Sequence, residues 1–140
     1  GSENTTFSSN VGIGIGQSGI ISPSVEDIIE QPFDGKIIVV GKFDEINNVP
    51  IVGDSIVRLN SDGTIDGTFN PPSTTYKYTA LAIDTTGGPY NGYIYVCRDT
   101  TFGNQKVFKT NTNGVNWWDI CHNIWQYTIK HLFWFKYKSR

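Results

Sequence analysis

Hydrophobic and polar residues follow one another along this chain in short runs, and most runs end at a turn signal. Residues 31–43, QPFDGKIIVVGKF, give the clearest example. Asp34-Gly35 is a hairpin turn signal, because glycine adopts positive φ without a steric clash. A short apolar run rich in β-branched residues follows and ends at Gly41, which predicts a strand. This stretch therefore predicts a turn, a strand and a second turn.

The same order of turns and strands occurs twice in the chain. Each unit is predicted to contain a strand, a turn, a strand, a polar loop, a third strand, a glycine turn and a fourth strand. Such an antiparallel meander is typical of a propeller blade. The matched pairs are residues 6–7 with 68–69, residues 25–30 with 79–84, residues 35–39 (GKIIV) with 92–96 (GYIYV), and residues 56–63 (IVRLNSDG) with 107–114 (VFKTNTNG).

The first unit resembles a known repeat family. Residues 31–48, QPFDGKIIVVGKFDEINN, and residues 55–71, SIVRLNSDGTIDGTFNP, are similar to the delta-sixty repeat of bacterial and phage surface proteins. In that family a QPDGK turn precedes I-x-V-G-G-x-F, and R-L-N-x-D-G-T-x-D-x-x-F follows. This chain departs from the pattern by inserting Phe33 in the turn and by placing Val40 at the first glycine. The resemblance implies a β-propeller.

The second unit is similar to the bacterial neuraminidase repeat, or Asp-box. Residues 107–117, VFKTNTNGVNW, follow the pattern S-x-D-x-G-x-x-W at Thr110, Gly114 and Trp117. Thr112 stands where the family has its aspartate. The two resemblances together cover about residues 7–118, and the first has the more specific motif.

We therefore predict an all-β protein of propeller-like antiparallel blades, with two repeat units and a C-terminal aromatic strand segment. A chain of 140 residues can bury a modest core. Abundant glycine and aromatic residues suit strands joined by tight turns. The predicted parts are residues 1–10 as a remnant of a cloning tag and a flexible lead, residues 11–70 as the first repeat, residues 71–118 as the second, and residues 119–140 as an aromatic and basic strand segment.

Four further stretches carry local signals, and three of them allow more than one interpretation. Residues 11–16, VGIGIG, suggest a phosphate loop, but no strand precedes them and no amphipathic helix follows, so we predict a narrow strand. Residues 24–30 could form a helical turn, and their match in the second unit favours a strand. Residues 44–50 are predicted to be a polar loop. Residues 60–66 resemble a calcium loop without its closing glutamate, which favours a turn bonded by its own side chains.

The sequence offers little enzyme chemistry. A sialidase needs three clustered arginines, and this chain has only Arg58, Arg98 and Arg140, of which Arg58 belongs to a repeat strand. His122 and His131 are the only histidines, and no metal-ligand spacing surrounds them. No catalytic serine elbow or zinc-protease motif occurs. We therefore predict no catalytic residues, no metal and no cofactor.

Charge and cysteine content leave the compartment open. The net charge of −2 gives no general attraction to nucleic acid or acidic lipid. No apolar run reaches the length of a membrane span. Cys97 and Cys121 could form a disulfide if their strands are neighbours, and two free thiols are equally compatible with the sequence.

The C-terminal segment, residues 117–140, has an unusual composition. It contains all four tryptophans, and from residue 120 onward it has four basic residues and no acid. Aromatic and apolar residues fall on alternate positions, which predicts one or two strands. These side chains could complete a core or subunit interface, form a carbohydrate platform, or stack on single-stranded nucleic acid. The alternating positions are Trp125, Tyr127, Ile129, Phe133, Phe135 and Tyr137.

The functional prediction is a non-enzymatic repeat module of an extracellular, cell-surface or virion protein that acts in assembly or adhesion. Its expected partner is another copy of itself, in a trimer, or the adjacent repeats of a longer protein. Trp125, Phe133 and Phe135 are the expected contacts. The alternative is glycan binding through exposed aromatics, with Trp118, Trp125 and Trp134 as the platform. No nucleic-acid partner and no membrane insertion are expected.

Overall fold

The computed structural model describes residues 1–16, 22–51, 55–72, 77–99, 105–115 and 117–120. These ranges contain one helix and ten strands, and every pair of hydrogen-bonded strands is antiparallel. In chain order the elements are α1 (Thr5–Val11), β1 (Ile15–Gly16), β2 (Ser24–Glu30), β3 (Ile37–Lys42), β4 (Glu45–Ile46), β5 (Val49–Pro50), β6 (Ile56–Leu59), β7 (Tyr78–Ile83), β8 (Ile94–Asp99), β9 (Gln105–Thr110) and β10 (Trp118–Asp119).

Two of the sheets are the predicted blades. The first has the strand order β2-β3-β6, and the second has the order β10-β9-β8-β7. In the first blade the place of a fourth strand is taken by a single bridge between Leu59 and Ile65. The prediction of an all-β chain with two propeller-like units is confirmed, as is the strand predicted over residues 24–30.

The three predicted glycine turns are also confirmed. Gly35, Gly63 and Gly114 have φ of 67°, 88° and 73°, values that suit glycine best. Gly35 lies between β2 and β3, Gly63 precedes the bridge at Ile65, and Gly114 lies between β9 and β10. Each turn therefore reverses the chain between antiparallel partners, as the repeat alignment requires.

The hydrophobic core is divided between two faces of the first blade. One face packs against the second blade, so that Ile38, Val40 and Ile56 meet residues such as Leu81 and Val96. The opposite face of the first blade carries Val39, Val57 and Leu59, which form a separate cluster with residues from the loops and from α1. The alternation of inward and outward side chains along β3 and β6 therefore gives the first blade two buried faces.

Residues 5–11 form a helix, where the sequence analysis predicted a flexible lead up to residue 10 and a strand from residue 11. The Asn4 side chain caps the helix by accepting a 3.1 Å hydrogen bond from the Phe7 amide. Phe7 and Val11 pack on the second core cluster, so tertiary contacts stabilise this short helix. Only Ile15–Gly16 of the predicted glycine-rich strand is a strand.

The polar loop predicted over residues 44–50 is instead a small hairpin. Glu45–Ile46 pairs with Val49–Pro50, and β1 pairs with the other side of β4. Asn47 and Asn48 have φ of 50° and 61°, the left-handed pair that two-residue hairpin turns require. Asparagine tolerates this conformation, so an Asn-Asn pair can replace the more familiar Asn-Gly.

The aromatic segment predicted over residues 119–140 lies almost entirely outside the described residues, and the strands expected there stay a prediction. Within the described ranges, no helix is both long and apolar enough to cross a membrane.

Candidate interlocking site between the two units

The predicted ligand and interface residues are mostly beyond the described part of the chain. Trp118 begins β10, where its backbone pairs with Lys109. Trp125, Phe133, Phe135 and Trp134 lie outside the described residues, so their expected roles stay predictions. The neighbouring Trp117 belongs to the core. Its ring packs 5.8 Å from Tyr78 and 6.3 Å from Phe108, and its indole N–H donates to the Gly114 carbonyl.

The structure brings together a different set of polar residues around Arg58. All four residues of β6 are buried, and the Arg58 side chain is only 1% exposed. Arg58 pairs across the sheet with Ile38 on the face that meets the second blade. A buried guanidinium is costly unless its donors are bonded and its charge is compensated. We name Arg58 and its hydrogen-bond acceptors the Arg58 site; the acceptors are Gln31, Asp66, Thr68, Thr112 and Asn113.

Asp66 supplies the negative charge of the Arg58 site. Its Oδ2 accepts from Arg58 Nε at 2.8 Å and from Lys36 Nζ at 2.7 Å. Its Oδ1 accepts from the backbone amide and the hydroxyl of Thr68. Burial raises the pKa of Asp66, but the hydrogen bonds from Lys36 and Thr68 and the charge of Arg58 outweigh it and hold the pKa well below its usual range. Asp66 is therefore ionised at neutral pH.

The second unit reaches the Arg58 site through one turn. Arg58 donates through Nη1 to the Thr112 carbonyl and through Nη2 to Asn113 Oδ1, the latter at 3.3 Å. Gln31, which is 2% exposed, accepts from Arg58 at 3.1 Å and donates to the same Thr112 carbonyl. A side chain of the first blade thus holds the closing turn of the second.

Phe69 places an apolar surface beneath this contact. The Arg58 guanidinium lies 5.0 Å from the centre of the Phe69 ring, a cation–π geometry. The same ring lies beside Gly114, so closely that a Cβ there would come within 2.5 Å of it. Asn70 completes the contact, because its backbone amide donates to the Asn113 carbonyl at 3.2 Å. Phe69 and Asn70, at the end of the first unit, therefore contact the closing turn of the second.

The hydrogen bonds of the Arg58 site hold the two units against each other. The donors of Arg58 bond to five acceptor residues, and the Asp66 carboxylate accepts four hydrogen bonds. Among the described residues, no three histidine, cysteine, aspartate or glutamate side chains are grouped as metal ligands would be. The Arg58 site joins the two units. Together with Lys36, which donates to Asp66, it has two positive charges and one negative charge.

Sequence reasoning assigned Arg58 to a repeat strand and went no further. One signal could have identified it, since a charged residue interrupts the apolar run IVRL of a predicted strand. Asp66, eight residues later, could have been named as its partner. The contacts at residues 112 and 113 could not, because they depend on how the units pack.

Lys109 occupies the position of Arg58 in the second unit. Its ammonium lies over the Tyr90 ring, 3.0 Å from the ring centre, and 4.8 Å from the centre of the Tyr93 ring. Partial desolvation lowers the pKa of Lys109, and the nearby Asp84 carboxylate opposes this effect. Tyr90 is 49% exposed. Lys109 is therefore held at an aromatic surface of the second blade.

Comparison with known proteins gives one match. Residues 34–69 match the model of a family described as "Domain of unknown function (DUF5122) beta-propeller". The match spans the first blade from its β2-β3 turn to Phe69 and supports a propeller-type repeat. No curated protein and no solved structure matches the chain.

Proposed function

We propose that this chain is a non-enzymatic repeat module that acts in assembly, as part of an extracellular, cell-surface or virion protein. Its first unit would be a repeat of the delta-sixty type and its second an Asp-box-like repeat. The observation that carries the proposal is the Arg58 site, in which a buried arginine holds the turn of the neighbouring unit. Such a contact sets how one repeat follows another.

The proposal that the module is non-enzymatic is supported by how its buried polar groups are used. Arg58, Asp66 and Gln31 are bonded to one another or to backbone groups. A catalytic group needs a free donor, acceptor or nucleophile directed at a substrate. The buried groups of the Arg58 site are instead occupied by structural contacts.

Assembly is supported by strand edges and exposed apolar side chains. Two blades are fewer than the four or more that a closed propeller typically needs, and open sheet edges favour association. Strand β2 lies at the edge of the first sheet and exposes Val25 by 52% and Ile28 by 57%. Three copies of the chain would supply six blades, and closed cyclic symmetry is the usual arrangement. We propose a trimer, with Trp125, Phe133 and Phe135 at or near the contact.

Light scattering on the purified chain tests this proposal. We expect a trimer, and we expect Trp125→Asp and Phe133→Asp to convert it to smaller species. Ile13→Asp is the matched control, because Ile13 is 75% exposed and lies outside the aromatic segment. A monomer at every concentration would rule out homo-oligomeric assembly. A trimer that survives both tail substitutions would place the contact elsewhere.

A second candidate function is glycan binding through aromatic side chains. The observation that favours it is the half-exposed Tyr90 ring, which meets Tyr93 edge-on at 5.4 Å and lies beneath Lys109. Aromatic faces with a nearby polar group suit sugar rings. A glycan array should then give a signal that falls with Tyr90→Ala or with Trp118→Ala. Binding that survives these substitutions and Trp125→Ala and Trp134→Ala would exclude the proposed platform.

A further inference from the structure

The two units correspond hydrogen bond by hydrogen bond in the turn before their second strands. In the first unit the backbone amide of Gln31 donates to the backbone carbonyl of Lys36, and the backbone amide of Gly35 donates to the backbone carbonyl of Gln31. In the second unit Asp84 takes the place of Gln31 in the same two bonds, with Tyr93 and Gly92 as its partners. Gln31 contributes to the Arg58 site, so Asp84 marks the corresponding place beside Lys109.

The closing turns correspond in the same way. The backbone amide of Asn60 donates to the Thr64 carbonyl at 2.8 Å, and the backbone amide of Asn111 donates to the Val115 carbonyl at 3.3 Å. The glycine amide of each turn donates back to its asparagine carbonyl, at 2.9 Å for Gly63 and 3.1 Å for Gly114. The turn at residues 60–63 therefore has the backbone shape of the turn that Arg58 holds.

A phenylalanine packs against each closing turn. Phe7 lies against Gly63, and Phe69 lies against Gly114. A neighbouring asparagine also donates to the residue before the glycine, from Asn10 Nδ2 to the Asp62 carbonyl at 2.8 Å in the first unit. The first turn therefore has the same support as the second, and its Ser61 and Asp62 are exposed.

We propose that Lys109 binds the turn at residues 60–63 of a second copy of this chain. The contact would repeat the Arg58 site between chains, with the Lys109 ammonium donating to the Ser61 carbonyl and the Asp62 carboxylate. Ser61 and Asp62 correspond to Thr112 and Asn113, the residues that Arg58 binds within the chain. The inference rests on the proposed assembly function and identifies the surfaces that meet.

Charge makes a turn with aspartate a better partner for Lys109 than one with asparagine. Arg58 already has a carboxylate, Asp66, at 2.8 Å. In the second unit the position aligned with Asp66 is Trp117, whose ring belongs to the core. Lys109 therefore has no carboxylate in the place of Asp66, and the nearby Asp84 takes the place of Gln31 instead. The Asp62 side chain of a second copy would bring a carboxylate to Lys109 from the side of the bound turn. The hydrogen bonds from Thr64 lower the pKa of Asp62, which keeps its carboxylate ionised.

Charge reversal on the full chain tests the contact. Lys109→Glu and Asp62→Lys should each weaken self-association by about tenfold or more, since each places like charges together. Combining the two substitutions in one chain should restore association, because every contact of a closed ring then joins opposite charges. Analytical ultracentrifugation of each single variant and of the double variant measures these changes. Lys42→Glu is the control, because Lys42 lies at the other end of β3 from Ile37, whose partner Leu59 leads into the turn at residues 60–63.

The outcomes distinguish this contact from the proposed function as a whole. If the unmodified chain associates and both reversals leave its dissociation constant unchanged, the Lys109 contact is wrong while assembly stands. If each reversal weakens association and the double variant does not recover, Lys109 and Asp62 are not partners. If the unmodified chain never associates, both proposals are wrong. Lys109→Arg provides a second variant and should preserve association.

Discussion

Arg58 Nε lies 2.8 Å from Asp66 Oδ2, and the two side chains are only 1% and 5% exposed. A buried ion pair is stable only where further hydrogen bonds satisfy its remaining donors and acceptors. Here those bonds come from both units, through Lys36 and Gln31 on one side and the turn at Thr112 on the other. The pair therefore couples the local fold of the first blade to its packing against the second.

Arg58→Ala should destabilise the chain by about 3–5 kcal/mol, because it leaves Asp66 buried with less compensation and removes the donor that Asn113 Oδ1 and the Thr112 carbonyl have in Arg58. Arg58→Lys should lose less, since it keeps the charge but cannot reach as many acceptors. Urea unfolding measures both changes. Lys42→Ala is the control and should stay within about 0.5 kcal/mol. A loss below about 1 kcal/mol for Arg58→Ala would contradict a structural role for the site.

Stability should fall in acid because of Asp66. Its pKa is lower in the folded chain than in the unfolded chain, where a free aspartate titrates near pH ~3.9. The unfolded chain therefore binds more protons in acid than the folded chain does. The contribution of Asp66 to the free energy of unfolding is complete above about pH 5 and is lost as the pH falls below that value. The difference in unfolding free energy between the wild type and Asp66→Asn should shrink over this range. Ser61→Ala, at an exposed position of a turn, removes no titratable group and should show no such convergence.

The repeat, the three glycine turns and the blade strands could be read from the sequence, because each depends on local chemistry. Glycine with positive φ marks a turn whatever surrounds it. Residues 37–40 form a continuous apolar run, as a strand with two buried faces requires. The helix over residues 5–11 was missed because five of its seven residues are polar. Its stability comes from the other two, Phe7 and Val11, which pack on a cluster of residues distant in sequence.

The Arg58 site was missed for a related reason. Its two halves are 54 residues apart at Arg58 and Thr112, and only the packing of the blades brings them together. The hairpin at Asn47 and Asn48 lacks glycine, so its composition suggested a loop. Local signals thus identified the elements, while contacts between distant elements decided the polar site.

Gly63→Val should destabilise the chain by on the order of 1 kcal/mol or more. Gly63 has a φ of 88°, and a Cβ at this position would lie 2.8 Å from the Phe7 carbonyl oxygen. Gly67→Val is a matched control, because Gly67 has no heavy atom within 4 Å of an added Cβ. Thermal or urea unfolding of the two variants should show a clear difference, and equal stability would count against strain at Gly63.

Reducing agent should leave the melting temperature unchanged. A structural disulfide would make reduction lower the melting temperature by several degrees. Cys97 lies within β8, where it is partly buried opposite Ala80 and Val107, and the sequence around it is not rich in cysteine. Differential scanning calorimetry with and without reductant measures the effect. A marked loss of stability on reduction would indicate a disulfide with Cys121 and an oxidising compartment.

Asn113→Asp should stabilise the chain by about 1 kcal/mol at neutral pH, because a charged acceptor bonds a guanidinium more strongly than an amide oxygen does. Asn113 Oδ1 lies 3.3 Å from Arg58 Nη2, and the group formed by Arg58, Lys36 and Asp66 has one more positive charge than negative. The new carboxylate would balance that charge and would give the second turn the Asp-Gly pair of the first. The gain should disappear below about pH 4, as the new carboxylate is protonated. A double-mutant cycle with Arg58→Met in urea isolates the interaction. A gain of the same size in the Arg58→Met background would show that it does not come from Arg58.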